Sequence, residues 1–193
     1  IVIFSSDNGP HEEGGGDPDF FGRDGKLQGK KRSCHEGGIR IPFIVRWPGH
    51  VPAGTVNDHI LAFYDIMPTF CDLIGQKDYV ARFGNKRLAD KDYFDGISFA
   101  PTLLGNNADQ KEHDFLYWEF PGAKGWVAVR KGEWKGLLKR VQKGNTEMEL
   151  YNIVKDPRET TDVAAQHPEI VEEMWKAVKE SHRDANPKGK KGG

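Results

Sequence analysis

An aspartate and an asparagine directly follow the first apolar run of the chain. Ile1–Phe4 is typical of a strand buried on both faces, and the turn-forming letters Ser-Ser-Asp-Asn-Gly-Pro end it. Ligands of open α/β sheets bind beyond the carboxyl ends of the strands. The oxygens of Asp7 and Asn8 are hard donors suited to Ca²⁺ or Mg²⁺. Asp-Asn-Gly is also common in ordinary turns, so these residues alone leave a metal site and a simple turn both open.

A basic loop lies about twenty residues further on. Lys30, Lys31 and Arg32 are consecutive, and Gly37-Gly38 follows, which indicates a backbone that turns tightly or packs closely. A lysine near a divalent cation is a point charge suited to a tetrahedral oxyanion such as sulfate or phosphate. The alternative from composition alone is a solvated basic loop.

The two cysteines, Cys34 and Cys71, are too few for a disulfide framework and form no zinc-type pair. Cys34 followed by His35 could be a thiol nucleophile with its base. Adjacent residues of an extended segment point to opposite faces, however, which disfavours that arrangement. Cys71 lies in an apolar helical stretch, and we predict that it is a core residue.

Composition narrows the class of protein. The 193 residues are 37% hydrophobic and 30% charged, as expected of a soluble globular protein. A net charge of -1 gives no reason to expect nucleic acid or an anionic membrane as a partner. No apolar run approaches the roughly 18 residues of a membrane span. Because the chain opens inside a predicted strand, we expect it to start within a longer protein, with any targeting segment upstream.

The elements that position these residues fall into three stretches, and residues 1–75 have an α/β pattern. The apolar run Ile39–Trp47 contains a proline, which predicts an edge or irregular strand. Asp65 is expected to cap a helix that runs to Ile74, with Gly75 at its C-terminal end. The predicted buried stripe of this helix is Ile66, Phe70, Leu73 and Ile74.

Residues 76–114 are polar and irregular, and we predict a connecting segment with one short helix at Phe99–Leu104. Residues 115–185 change to short aromatic and β-branched segments, which predict a small antiparallel sheet. A helix over Pro168–His182 should cover one face of that sheet with its apolar stripe. Residues 186–193 are predicted to be a disordered basic tail. The predicted strands are Phe115–Glu119, Trp126–Arg130, Trp134–Lys139 and Met148–Asn152.

Taken together and in this order, these features resemble the arylsulfatase family, whose members are formylglycine-dependent sulfatases of the alkaline-phosphatase-like superfamily. The resemblance spans nearly the whole chain. It is carried by Asp7–His11, Gly29–Arg32, Glu36–Pro42, Arg46–Gly49, Tyr64–Thr69, Asp95–Ser98, Ala128–Lys135, Leu150–Asn152 and Asp156–Glu159. It implies the C-terminal part of an alkaline-phosphatase-like α/β sandwich, followed by a small antiparallel sheet packed by a C-terminal helix.

The resemblance also implies roles for individual residues. Asp7 and Asn8 match the second pair of the family's calcium ligands. Lys31 matches the lysine that contacts the substrate sulfate, with Lys30 as a rival. His11 has two expected roles, a substrate contact or a place in a surface loop. The motif that begins at Glu36 matches a structural element more than a chemical one.

Other parts of the family's site have no counterpart in this sequence. The nucleophile is a formylglycine made from Cys or Ser in a C/S-x-P-x-R motif, and neither Cys34 nor Cys71 has that context. The first aspartate pair and the leaving-group histidine are also expected upstream. The chain by itself is therefore expected to be inactive and to need the N-terminal part of the same protein as its partner.

The function that the resemblance implies is hydrolysis of sulfate esters with calcium as the metal. Mg²⁺ is the alternative metal. The expected substrate is a sulfated carbohydrate or an aryl sulfate, and the expected location is periplasmic, extracellular or lysosomal. One alternative is a phosphate or phosphonate ester hydrolase of the same superfamily. Another is a non-catalytic binding module that has kept the metal loop.

Overall fold

The computed structural model describes residues 1–21, 27–79, 95–122 and 124–182. The chain divides into a first unit, Ile1–Phe4 with Phe43–His113, and a second unit, Ser5–Pro42 with Asp114–Gly193. The basic loop therefore belongs to the same unit as the C-terminal sheet. The predicted tail at residues 186–193 and most of the middle of the predicted connecting segment lie outside the described residues.

The regular elements are short except for the last helix. The strands are β1 (Val2–Ser5), β2 (Phe43–Arg46), β3 (Leu116–Phe120), β4 (Trp126–Lys131), β5 (Trp134–Lys139) and β6 (Glu149–Asn152). The α-helices are α1 (Pro18–Phe21), α2 (Glu36–Ile39), α3 (Ile66–Leu73), α4 (Ala100–Leu103) and α5 (Pro168–Ser181). Single 3-10 turns lie at Glu13–Gly15, Phe63–Asp65, Asn107–Asp109, Val141–Lys143 and Ala164–Gln166.

In the first unit β1 pairs with β2 in a two-stranded sheet. The prediction that β1 is buried on both faces is wrong for the described residues, since Val2 and Phe4 are both more than half exposed. The predicted strand over Ile39–Trp47 is also shorter than expected. Its first residue ends the helix α2, and the strand begins only after Pro42, which has no N–H to donate to a ladder.

Helix α3 has its predicted position but a different buried face. The helix ends just before Gly75, the glycine predicted at its C-terminal end. Gly75 has a φ of 75°, and its backbone N–H donates to Asp72 O at 3.0 Å. The predicted apolar stripe is wrong, since Ile74 is 78% exposed while Thr69 is fully buried. A polar contact explains the difference: Thr69 Oγ1 accepts the backbone N–H of Phe99 at 2.9 Å.

Asp65 precedes the first residue of this helix as predicted, but its side chain makes no capping hydrogen bond to α3. Its two carboxylate oxygens accept the backbone N–H groups of Ala62, at 2.7 Å, and Ile97, at 2.8 Å. His113 Nε2 lies 2.9 Å from the same carboxylate, which is 1% exposed. The predicted cap is thus a buried junction that joins α3 to the segment before α4 and to His113 within the first unit.

The second unit is built on an antiparallel sheet with the strand order β3-β4-β5-β6. Neighbouring strands pair in register, for example Val129 with Gly136 across β4 and β5. The tight connection between these two strands turns at Gly132, whose φ is 58°. These contacts confirm the predicted small antiparallel sheet.

Helix α5 covers one face of this sheet, as predicted. Met174 and Val178 of α5 are buried in one cluster with apolar residues of β4, β5 and β6. Side chains of a strand alternate between faces, so the intervening residues form a second cluster on the other face. That second cluster consists of Cys34, Ala128, Leu137, Tyr151 and Ile153. The segment that carries the basic loop therefore lies on the face opposite α5.

Candidate functional site

Hydrogen bonds join the turn after β1 to the basic loop. The backbone N–H of Gly9 donates to Gly38 O at 2.9 Å, and that of Lys31 donates to Pro10 O at 3.0 Å. A Cβ atom on Gly9 would lie 1.8 Å from Gly37 O, so only glycine allows this close approach. The structure thus brings together the two segments that the sequence analysis singled out.

Lys31 lies in a tight turn within the basic loop. The backbone N–H of Ser33 donates to Lys30 O at 3.0 Å, which closes the turn around Lys31 and Arg32. Arg32 has a φ of 76°, in the left-handed region that side chains other than glycine rarely adopt. Such strain costs about 1–3 kcal/mol and is concentrated at functional sites, where surrounding contacts maintain it.

The three cations of this loop differ in their partners. Lys30 pairs with Glu12, and Arg32 Nη2 lies 2.6 Å from Glu13 Oε1. Lys31 is partly buried and has no carboxylate partner among the residues that the structure describes. The charge of Lys31 is therefore the one that this loop leaves available to an anion. Lys30, the rival that the resemblance left open, is thus paired with Glu12 in this structure.

The predicted metal ligands are exposed to different degrees. Asp7 is exposed, while Asn8 is partly buried and its Nδ2 donates to Gly9 O at 2.9 Å, which leaves its side-chain oxygen available. No group of three or more His, Cys, Asp or Glu side chains suited to a metal occurs within the described ranges. Calcium normally takes about six or more oxygens. The pair therefore fits a part of a calcium site.

The ring of His11 is engaged inside the same loop. Its Nδ1 accepts the backbone N–H of Glu13 at 2.7 Å, and its Nε2 lies 3.2 Å from a carboxylate oxygen of Glu13. Nε2 is buried and makes no hydrogen bond among the described residues, so a substrate contact and a place in the loop both stay predictions for His11.

Beneath the basic loop lies a buried ionic cluster that the sequence analysis did not predict. Lys135 Nζ lies 2.9 Å from both Glu36 Oε1 and Glu159 Oε1, and the Lys135 side chain is 0% exposed. These residues occur in three of the segments that carry the family resemblance. Their separation in sequence gave no sign that they meet, because the pairing depends on which face of β5 the loop covers.

Cys34 is a buried core residue. Burial raises the pKa of its thiol to about 11, with the charge of Lys135 acting in the opposite direction and that of Glu159 adding to the increase. His35, its neighbour, lies 3.3 Å from Glu159 Oε2 through Nδ1. A thiol that stays protonated at neutral pH is a poor nucleophile, so the Cys34–His35 alternative is not supported.

Residues 28–184 match the family described as N-sulphoglucosamine sulphohydrolase, C-terminal. The chain belongs to this family. It is 31% identical over 191 residues to an N-acetylgalactosamine-6-O-sulfatase of Bacteroides thetaiotaomicron, covering 90% of this chain and 34% of the relative. It is 32% identical over 136 residues to human arylsulfatase A, covering 70% and 24% respectively.

Solved structures show the same likeness. Ps i-CgsB in complex with k-i-k-neocarrahexaose superposes with a TM-score of 0.70 at 28% identity, covering 92% of this chain and 35% of that one. The structure and these relatives confirm the predicted fold class and the sulfatase resemblance. The chain spans about a third of the length of the bacterial sulfatase and of this solved structure. Within the described ranges, helices are too short or too polar to cross a membrane.

Proposed function

We propose that this chain forms the C-terminal part of an enzyme that hydrolyses sulfate esters, with Lys31 as the residue that contacts the sulfate. The sulfatase relatives support the reaction class. The observation that carries the role of Lys31 is its lack of a carboxylate partner among the described residues, while Glu12 and Glu13 neutralise the cations on either side. Only an unpaired ammonium acts on a bound anion with its full charge.

The location of Lys31 adds a second argument. The backbone N–H of Lys31 donates to Pro10 O, and the backbone N–H of Gly9 donates to Gly38 O. These hydrogen bonds fix the loop against the segment that carries Asp7 and Asn8. An ammonium and a divalent cation held on adjoining segments would share the oxygens of one sulfate. Positioned cations of this kind stabilise the charge that is redistributed in the transition state.

We further propose that Asp7 and Asn8 supply two of the oxygen ligands of a calcium ion. When bound there, calcium would offset negative charge on the sulfate oxygens. Further ligands and the formylglycine nucleophile would come from an N-terminal part of the same protein. The half-exposed apolar side chains of β1 support such a partner, because Val2 and Phe4 would be covered by packing against it.

The proposed substrate is a sulfated carbohydrate. One relative is an N-acetylgalactosamine-6-O-sulfatase, and one structural neighbour was solved with a neocarrahexaose. N-acetylgalactosamine and neocarrahexaose are both sugars, which supports a carbohydrate ester over a simple aryl sulfate.

The test of Lys31 compares two neighbouring alanine variants in the enzyme that carries this chain. Lys31→Ala should lower turnover roughly a hundred- to a thousandfold, which corresponds to about 2.7–4 kcal/mol for one positioned electrostatic donor. Lys30→Ala should cost far less, because it removes an exposed ion pair with Glu12. Turnover is measured on a sulfate ester, with circular dichroism to show that both variants are folded.

The reverse pattern, with Lys30→Ala nearly inactive and Lys31→Ala near wild type, would show that Lys30 and not Lys31 contacts the sulfate. If neither variant loses activity, the loop has no role with sulfate and is a solvated basic loop.

Calcium binding by this chain alone is the test of the metal proposal. With only Asp7 and Asn8 as side-chain ligands, we expect affinity weaker than micromolar in calorimetry, because calcium normally needs about six or more oxygens. We also expect no hydrolysis of an aryl sulfate. An affinity in the micromolar range or tighter that is lost in Asp7→Ala would show that the chain holds a complete site. Measurable hydrolysis would contradict the proposed division of the active site.

A further inference from the structure

A buried ammonium holds two carboxylates from distant parts of the second unit. Lys135 Nζ lies 2.9 Å from Glu36 Oε1 and 2.9 Å from Glu159 Oε1, and these side chains are 0–3% exposed. Glu36 begins α2 at the end of the basic loop, and Lys135 is in β5, the strand between β4 and β6. The end of the loop is therefore ionically attached to an inner strand of the sheet.

Further contacts of Glu159, through its carboxylate and its backbone carbonyl, complete the attachment. Its Oε2 accepts the backbone N–H of Glu36 at 2.6 Å, and His35 Nδ1 lies 3.3 Å from the same oxygen. When the Gln28 amide is assigned so that its nitrogen and not its oxygen faces the two carbonyls, that nitrogen donates to Arg158 O at 3.1 Å and to Glu159 O at 2.8 Å. Both ends of the segment 28–36, which contains Lys31, are thus tied to one residue and its neighbour.

The carboxylate of Glu159 is held in its charged form. Burial alone would raise its pKa, but the contacts with His35, Lys135 and the Glu36 N–H together outweigh burial and lower it. Glu159 also has a φ of 52°, so its backbone is in the left-handed region. A strained backbone and a buried charge are both maintained only where the surroundings determine the geometry.

We infer that the cluster of Lys135, Glu36 and Glu159 is a positioning device that holds the basic loop so that Lys31 reaches the substrate sulfate. This inference rests on the proposed function of Lys31. The three residues touch no substrate in this arrangement and act through Lys31. They are positioning residues, distinct from the sulfate contact itself.

The physical reason for an ionic attachment is geometric. Buried ion pairs are often no more stabilising than apolar residues of similar volume, because desolvation offsets the attraction. The hydrogen bonds from Lys135 Nζ to Glu36 Oε1, at 2.9 Å, and from the Glu36 N–H to Glu159 Oε2, at 2.6 Å, are short and directional, however, whereas an apolar contact between loop and sheet is non-directional. A displacement of about 1 Å in a catalytic group can cost about a hundredfold in rate. The cluster suits a loop whose lysine must be placed to that precision.

The experiment is a double-mutant cycle in the enzyme that carries this chain. Lys135→Met removes the buried ammonium and keeps the length of the side chain, and we expect kcat/KM to fall about a hundredfold. In a Lys31→Ala background the same change should cost less than about threefold, because the cluster has no lysine left to position. Lys131→Met is the matched control, since Lys131 pairs with Glu173 in an exposed contact.

Additive losses would overturn the inference, because a cluster that only stabilises the fold lowers activity equally in both backgrounds. No loss in Lys135→Met would overturn it as well. If the proposed function of Lys31 is wrong, the result is different, because Lys31→Ala by itself then retains activity, independently of the effect of Lys135→Met.

Removal of one partner could leave a buried charge that prevents folding. The triple variant Glu36→Gln, Lys135→Met, Glu159→Gln removes all three charges together and serves as the second test. It should be folded by circular dichroism, lose kcat/KM about a hundredfold, and show faster amide exchange at residues 28–36 than Lys131→Met does. A folded triple variant with wild-type activity and unchanged exchange at these amides would overturn the inference.

Discussion

The first and second units of this chain differ in how they bury apolar side chains. The second unit encloses two clusters, one on each face of its antiparallel sheet. Among the described residues, all of the exposed large apolar side chains except Phe20 and Val154 belong to the first unit. In the first unit the described buried apolar side chains include Cys71, Phe99 and Ala100, and polar contacts such as those of Asp65 with Ala62 and Ile97 join its segments.

The two units therefore obtain their stability from different sources. Burial of apolar area contributes about 25 cal/mol per Å², so a unit that leaves such side chains in water gains little from its own fold. Large exposed apolar patches usually mark surfaces that contact another protein part. The second unit is expected to fold by itself, and the first is expected to depend on the proposed N-terminal part.

The largest expected effect is on core substitutions of the second unit. Leu137 is fully buried, and Leu137→Ala should lower the free energy of unfolding by about 2–5 kcal/mol through lost transfer energy and the cavity left behind. Ile74→Ala in the first unit should change it by less than about 0.5 kcal/mol, because Ile74 is 78% exposed. Denaturant unfolding followed by tryptophan fluorescence measures both.

The fluorescence reports mainly on the second unit, which contains four tryptophans, Trp118, Trp126, Trp134 and Trp175, whereas Trp47 is in the first. A Trp47→Phe background confines the signal to the second unit, where Leu137→Ala lies, and the difference in signal with and without Trp47→Phe reports on the first unit, where Ile74→Ala lies. If the two alanine variants lose equal free energy of unfolding, Ile74 is buried in the first unit, and the contrast in apolar burial between the two units is wrong.

The second unit was also the more predictable from sequence. Its strands carry runs of aromatic and β-branched residues, and the stripe of Met174 and Val178 repeats at helical spacing, so sheet and helix could both be assigned. In the first unit the same procedure failed for α3. Apolar periodicity predicted that Ile74 is buried, whereas the buried face is set by Thr69, whose Oγ1 donates to Asp65 O and accepts the backbone N–H of Phe99, thirty positions away.

In the candidate site, too, some features could be predicted from local sequence patterns and others could not. The residues with local signals, Asp7, Asn8 and Lys31, could be proposed from their spacing and family resemblance. The contacts that distinguish Lys31 from Lys30 are pairs of residues about nineteen positions apart, and the Lys135–Glu36 pair spans 99 positions. Such pairs follow from the tertiary fold, which a local pattern does not encode.

A smaller effect is expected from pH through Cys34. Its pKa in the folded protein, about 11, is above the value of about 9 for an unfolded cysteine, chiefly because of burial. The protonated thiol therefore contributes roughly 2–3 kcal/mol to the free energy of unfolding, and this contribution is fully present below pH 9 and is lost as pH rises from 9 to 11. Other groups also titrate there, so the measurement is the difference between wild type and Cys34→Ala across that range. Parallel pH curves for the two proteins would show that the thiol is not enclosed by the second unit.

The smallest expected effect within this chain comes from one substitution made in both units. Val2 is 61% exposed in β1 and Val154 is 68% exposed in the second unit, so Val→Thr at either position should change the unfolding free energy of the chain by less than about 0.5 kcal/mol.

The effects of the two substitutions on the unfolding free energy should differ in the protein that includes the proposed N-terminal part. Packing there would bury Val2, and a buried hydroxyl without a partner costs about 1–3 kcal/mol. Val154→Thr should stay neutral in both contexts, because the second unit already has its own core on each face of the sheet. Thermal or denaturant unfolding of the four variants gives the comparison directly. If Val2→Thr is neutral in the longer protein too, the exposed side chains of β1 are not an interface with an N-terminal part, and that partner has to be sought on another surface.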